Sequence, residues 1–256
     1  MVDAQECRRC VTLVGLMSEA SIALQTRRPK ESRVEAPKFV MLGNDNADSW
    51  MLNYRAVQES IEELPPEERA AFLFRELPPY WTEIYGENVG RVVELYRLAS
   101  GEFQYIYDDH GALVDSGQLE DDGASESRVV AAFGYSAPAK TSRKKEDQRL
   151  KGWVGPTEKH FGKHSDKGHF IAHSIGGLID RSEFNVFVQR RRFNRGWGGE
   201  RLYRDMEEHC QLNPGVFCFS RPFYEDRTSR PSWIEFGILK SEGLLWVERF
   251  DNRPGD

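Results

Sequence analysis

From the start of the chain to about residue 100, apolar residues recur at three- and four-residue spacing, the pattern of a helix with one buried face. Two segments carry it clearly, "CRRCVTLVGLMSEASIAL" (7–24) and "ADSWMLNYRAVQESIEEL" (47–64). "LPPEERAAFLFREL" predicts a third helix, opened by proline, with Glu67 and Glu68 in its first turn. "PPYWTEIYGENVGRVVELYRLAS" predicts a fourth, interrupted near Gly86, and "TRRPKESRVEAPKF" reads as a linker between the first two. After Gly101 the period drops to two. "EFQYIYDDHGALVDSGQL" alternates on both sides of an Asp-Asp-His-Gly turn and predicts a hairpin. "ERLYRDMEEHCQL" predicts a helix stopped by Asn213-Pro214-Gly215, and "GVFCFSRPFYED" and "PSWIEFGILKSEGLLWVERF" predict closing strands, the last two joined by a Ser-Glu-Gly turn. The pattern describes an α+β chain: a helical region over residues 1–100 with no assigned role, then a mixed domain with an antiparallel sheet over residues 101–256.

Charge changes this picture. The net charge of −6 hides an asymmetry. Residues 1–139 hold 13 Lys/Arg against 24 Asp/Glu, net −11; residues 140–204 hold 16 against 7, net +9; the remainder holds 6 against 10, net −4. A positive block of that size suits a polyanionic partner, and it equally suits a solvated face pairing with the acidic region. An acidic region that reached the basic block would compete with such a partner for it. No window approaches the roughly 18 apolar residues of a membrane span. The first residues carry Asp3 and Glu6 where a secretory signal would be basic, so the expectation is a cytoplasmic protein or one delivered by a specialised secretion apparatus, with no membrane partner. Of the four cysteines, Cys7 and Cys10 form a C-x-x-C pair and Cys210 follows His209. A second close-spaced pair is missing, which favours free thiols over a structural zinc site.

The basic block contains "DKGHFIAHSIGGLIDRSEFNVFVQRRRFNRGWGG" (166–199), where two histidines, two asparagines, six glycines and three consecutive arginines crowd together. His169 and His173 stand at i and i+4, and on a helix both would face one zinc ion. A zinc protease of that type needs glutamate directly after the first histidine, and here Phe170 follows.

The stretch resembles the DNA/RNA non-specific endonucleases of the ββα-metal (His-Me finger) fold, including nuclease domains of bacterial polymorphic toxins. The residues that carry the resemblance are "DKGH" at 166–169, "IGG" at 175–177, Asn185, and Asn194 nine residues later. Weaker resemblance extends over about residues 101–250. It implies a metal-dependent, sequence-non-specific endonuclease acting on DNA, with RNA as a further substrate and Mg²⁺ (or Mn²⁺) as cofactor. His169 is then the general base and Asn194 the metal ligand through its carbonyl oxygen. Asn185 holds the catalytic segment by hydrogen bonds, and a purely structural turn asparagine is nearly as good a reading. A glutamate on the following helix stands near the metal waters; Glu200 and Glu207 compete, and Glu207 is favoured by its setting in "YRDME". Arg149 is the candidate phosphate clamp among several upstream cations. Lys167 stands where the family commonly has arginine, a point charge in place of a planar fork. Arg190, Arg191, Arg192 and Arg195 are candidates for backbone phosphates, and each is as well read as a solvated edge. Trp197 reads more readily as an aromatic packing a turn than as a base-stacking surface. A toxin effector, with an immunity or inhibitor protein as partner, and a defence nuclease both fit the layout. A nucleic-acid-binding or adaptor protein without turnover is the alternative from another class.

Overall fold

Strands near the centre of a sheet must bury side chains on both faces, and two closing strands of this chain supply them by alternation. In the strand Phe217–Phe223 (β7), Phe217 and Phe219 join one apolar cluster while Cys218 between them joins another. In Trp233–Leu239 (β8), Ile234, Phe236 and Ile238 point to the second cluster and Leu239 to the first. Because successive side chains point to opposite faces, the two clusters lie on opposite sides of one sheet.

The computed structural model describes residues 22–23, 52–89, 95–100, 102–110, 117, 126–139, 163–177, 183–197 and 200–254. Seven antiparallel strands form the sheet, in spatial order β1 (Ile22–Ala23), β2 (Leu95–Ser100), β3 (Phe103–Asp108), β4 (Arg128–Tyr135), β7, β8 and β9 (Leu245–Asp251). On the first face lie helix α1 (Tyr54–Glu62), capped by the Asn53 side chain accepting from the Ala56 N–H at 3.2 Å, and helix α2 (Pro66–Val89). Trp81 of α2 is fully buried there, with ring centroids 5.6 Å from Phe133 and 4.9 Å from Phe219.

Between β4 and β7, which are neighbours, the chain makes a long excursion to the second face. The hairpin β5 (Ser165–His169) and β6 (Val186–Arg190), the short helix α3 (Arg191–Arg195) and helix α4 (Leu202–Leu212) all belong to it. Ser136 joins the two ends of the excursion. Its N–H donates to the Val216 carbonyl at 2.8 Å and its carbonyl accepts from Gly215 at 2.6 Å. Its hydroxyl donates to the Asn213 carbonyl at 3.0 Å and accepts from the Val216 N–H at 3.1 Å.

Several expectations hold: α1, the helix from 202 stopped at Asn213, and the three closing strands. Others change. The third and fourth helices are one, running through Pro78 and Pro79. The prolines forfeit two helix hydrogen bonds, but Leu73, Leu77, Trp81, Ile84 and Tyr85 along the same face are buried against the sheet, and that burial outweighs the break. "LYRLAS", read as the end of a helix, is β2, because all six residues find register partners in β3. β3 is flanked by β2 and β4 along its whole length, and the stretch predicted as its hairpin partner lies, apart from Gly117, outside the described residues. Ile22 and Ala23, placed by their spacing in the first helix, pair with β2. The remainder of that helix, the linker, Cys7, Cys10 and most of residues 111–125 and 140–162 lie outside the described residues.

Residue 100, where the sequence suggests a division, is the last residue of β2 and pairs with Phe103 of β3. The acidic helices α1 and α2 occupy the face opposite the basic hairpin, so among the described residues they are not a cover over it. Replacing Trp81 by Ala should lower unfolding free energy by about 3–5 kcal/mol, since it opens a cavity between α2 and the sheet. Urea unfolding followed by circular dichroism measures it, and a loss below about 1 kcal/mol would show that α2 contributes little to this core.

Candidate active site

In the hairpin β5–β6 a side chain of one strand crosses close over the backbone of the other. Gly168 is needed for this, because a Cβ there would stand 2.2 Å from Gln189 Oε1 and 2.5 Å from its Cβ. The buried Gln189 side chain therefore crosses the space that the glycine of "DKGH" leaves open. Alternation places Lys167 and His169 on one face of β5 and Asp166 and Gly168 on the other.

At the end where Ser165 meets Arg190, Asp166 gathers three partners. Arg191 Nε donates to its Oδ1 at 2.9 Å, Arg195 Nε to its Oδ2 at 2.8 Å, and Asn194 Nδ2 to Oδ2 at 3.3 Å. Burial raises the Asp166 pKa, but the hydrogen bonds from Arg195, Arg191 and Asn194 outweigh it and hold the carboxyl below its ordinary value. An ionised carboxylate only accepts, so the Asn194 amide must turn its NH₂ toward Asp166 and keep its oxygen for something else.

At the other end, where His169 meets Val186, the segment after the histidine is locked rather than free to drift. The Asn185 amide, fully buried, accepts from the Ile171 N–H and donates to the Ile171 carbonyl, both at 2.8 Å. Its own carbonyl accepts from Phe170 at 3.1 Å. The "IGG" turn closes beneath: Gly176 takes a φ of 98°, and a Cβ on Gly177 would collide with the Ile171 carbonyl at 1.9 Å. His173 begins a 3-10 turn there, so it does not share a helix face with His169, which ends a strand. From α4, the Tyr203 hydroxyl donates to the His169 carbonyl at 3.4 Å. Burial, then the charge of Glu207 one turn further on, pushes the Tyr203 phenol well up.

Of the two competing glutamates, Glu200 is taken: it pairs with Arg190, which also faces Asp251 at 3.6 Å. Both commitments draw Arg190 into the structure and away from solvent. Arg191 is similarly absorbed by Asp166 and by the Ser165 carbonyl. Arg192 is exposed, and Arg195 remains nearly half exposed while it binds Asp166. Burial lowers the Lys167 pKa. Arg149 lies outside the described residues.

Two contributors carry little or no signal in the sequence. Asp166 enters only as part of the motif, although an acidic residue three positions before a histidine, within a block rich in arginine, is a usable signal. Asn252 gave none. Fully buried beyond β9, it donates to the Val188 carbonyl at 2.9 Å and the Pro231 carbonyl at 2.7 Å, and accepts from the Arg190 N–H at 2.7 Å. It thereby ties β6 to the main sheet. Among the described residues no three His, Cys, Asp or Glu side chains gather into a group able to hold a metal ion. Cys210 and Cys218 are buried free thiols, and their mutual hydrogen bond, then burial, pushes the Cys218 thiol well up.

Two solved structures are similar to this chain in part. One is a structure of Sda1 nuclease with bound zinc ion, 19% identical, covering 64% of this chain and 86% of that one, with a TM-score of 0.36. The other is an extracellular endonuclease, 14% identical, covering 65% of this chain and 81% of that one, with a TM-score of 0.33. Both superpose loosely. No protein-family model matches the sequence, and no curated protein matches it.

A depressed carboxyl pKa has a signed consequence. The stability Asp166 contributes when ionised is fully present above its unfolded value, about 3.9, and is lost as pH falls through the lower folded value. The difference in urea stability between the native chain and Asp166→Asn should therefore be constant from neutral pH to about pH 4 and shrink below it. A difference that stays flat to pH 2 would mean the carboxylate is not the group that gathers α3.

Proposed function

We propose that this chain is a metal-dependent, sequence-non-specific endonuclease that hydrolyses phosphodiester bonds in DNA, with RNA as a further substrate. The observation that supports this best is the Asn194 amide, polarised by Asp166 so that its carbonyl oxygen is the end left to accept. An amide oxygen on a short helix after a hairpin is a donor suited to one hard cation, Mg²⁺ or Mn²⁺, whose other positions go to water and phosphate oxygens. When bound, such an ion supplies positive charge to the phosphorane and an acidic water for the departing 3′-oxygen.

The chain's own residues do the rest. His169, in its neutral form, accepts a proton from the attacking water. Asn185 is a positioning residue: both ends of its amide are spent on Ile171, which fixes the backbone immediately after the histidine. Glu207, one turn beyond the Tyr203 whose hydroxyl reaches the His169 carbonyl, is favoured over Glu200, which is paired with Arg190, for ordering metal-bound waters. Arg192, Arg195 and Lys167 offer positive charge to phosphates, and Arg149 completes the clamp. Arg190 is assigned a structural role, because its guanidinium is held by Glu200 and Asp251.

Nicking of supercoiled plasmid with and without chelator tests the reading directly. Activity should vanish with EDTA and return with Mg²⁺ or Mn²⁺, and His169→Ala should lower the rate by roughly 10²- to 10⁴-fold while the protein still melts cooperatively. Asn194→Ala should shift the metal titration to higher concentration more than Asn185→Ala does. Products should carry 5′-phosphate and 3′-hydroxyl ends. Cyclic phosphates on RNA with DNA untouched would replace the proposal with a metal-independent ribonuclease, and binding without nicking under all metals would replace it with a silent nucleic-acid-binding module.

A further inference from the structure

Among the described residues, Trp197 is the one exposed large aromatic, with 51% of its surface in solvent. It stands just past the end of α3. Gly196 takes a left-handed φ of 65°, its N–H bonds the Phe193 carbonyl at 3.2 Å, and the Trp197 N–H bonds the Arg192 carbonyl at 3.0 Å. This is a Schellman termination, in which the residue at the Trp197 position ordinarily spends an apolar side chain covering the last turn. Here Phe193 already does that packing. It is 1% exposed, lies edge-on to Tyr203 at 4.5 Å and stacks on Phe250 at 5.3 Å. The indole is not needed for the cap, and the group set over it is charged: the Arg195 guanidinium, 5.0 Å from the ring centroid. The same guanidinium binds Asp166, and Asp166 holds Asn194. A half-exposed aromatic surface is thus coupled through one arginine to the residue assigned to the metal, with exposed Arg192 on the same helix.

We propose that Trp197 is a stacking platform for an unpaired base of the bound strand, so that the chain prefers single-stranded or locally unpaired DNA to duplex. The inference rests on the nuclease reading above and specifies its substrate. Every base has a π-face, and a duplex hides those faces, so an aromatic platform selects for strand separation and not for sequence. Arg195 steers the backbone by charge while its contact with Asp166 keeps the platform in register with Asn194.

Fluorescence anisotropy in EDTA, where no cleavage occurs, measures affinity for a labelled oligothymidylate and for a labelled blunt-ended, fully paired duplex. The wild-type chain should bind the single strand more tightly. Trp197→Ala should lose roughly 5- to 100-fold on the single strand and less than about twofold on the duplex, whereas Trp197→Phe should retain most of the single-strand affinity. Circular dichroism melts confirm that each variant is folded. Equal loss on both substrates, no loss, or Trp197→Phe as weak as Trp197→Ala would overturn the platform. A wild-type chain that nicks plasmid but shows no single-strand preference overturns the platform and leaves the nuclease reading standing. A wild-type chain that neither binds nor nicks overturns both.

Discussion

Burial on both faces of the central sheet is the constraint from which the rest of this structure follows. Strands β3, β4, β7 and β8 carry apolar side chains alternately to either side, so each side must be covered or expose a large apolar surface to water. Helices α1 and α2 cover one face, with Trp81 at the centre of their contact. The hairpin β5–β6 and helices α3 and α4 cover the other, through Phe170, Phe187, Phe193, Tyr203 and Met206. The candidate site is therefore the outer surface of a layer whose inner surface is core. His169 and Asn194 inherit rigidity from aromatic packing beneath them and from the polar ties of Asn185 and Asn252.

Within that layer one carboxylate sorts the charges. A run of arginines reads in sequence as a uniform basic strip, yet each guanidinium meets different neighbours. Arg190 turns toward Glu200 and Asp251, Arg191 and Arg195 converge on Asp166, and Arg192 faces solvent. Local positive charge is thus partly spent on holding α3 against the hairpin. What remains outward lies next to Asn194 and Trp197.

How much of this was legible in the sequence depended on the range of the interactions involved. The helix from 202 to 212 and the closing strands β7 to β9 were readable because period and turn residues act locally. The fused α2 was not, because two prolines are a strong local signal and the burial that overrides them is tertiary. Strand β2 was misread for a similar reason: its apolar spacing tolerates a helix, and only pairing with β3 selects the strand. At the site, the resemblance singled out Asn185 and Asn194, and both take part in specific hydrogen bonds. Which glutamate was committed elsewhere, and which arginines were internal, required the positions of Glu200, Asp251 and Asp166. Asn252 stands 62 residues from the strand it anchors, beyond the reach of any spacing rule.

Ser136 closes the excursion between β4 and β7 with four hydrogen bonds at a single point. Because the chain leaves and re-enters the sheet at adjoining strands, the number of residues travelled in between does not enter the register of the seven strands. Insertions or deletions in the outer loops of the excursion can therefore reshape the exposed side of this layer, one evolutionary step at a time, without asking the frame beneath to refold.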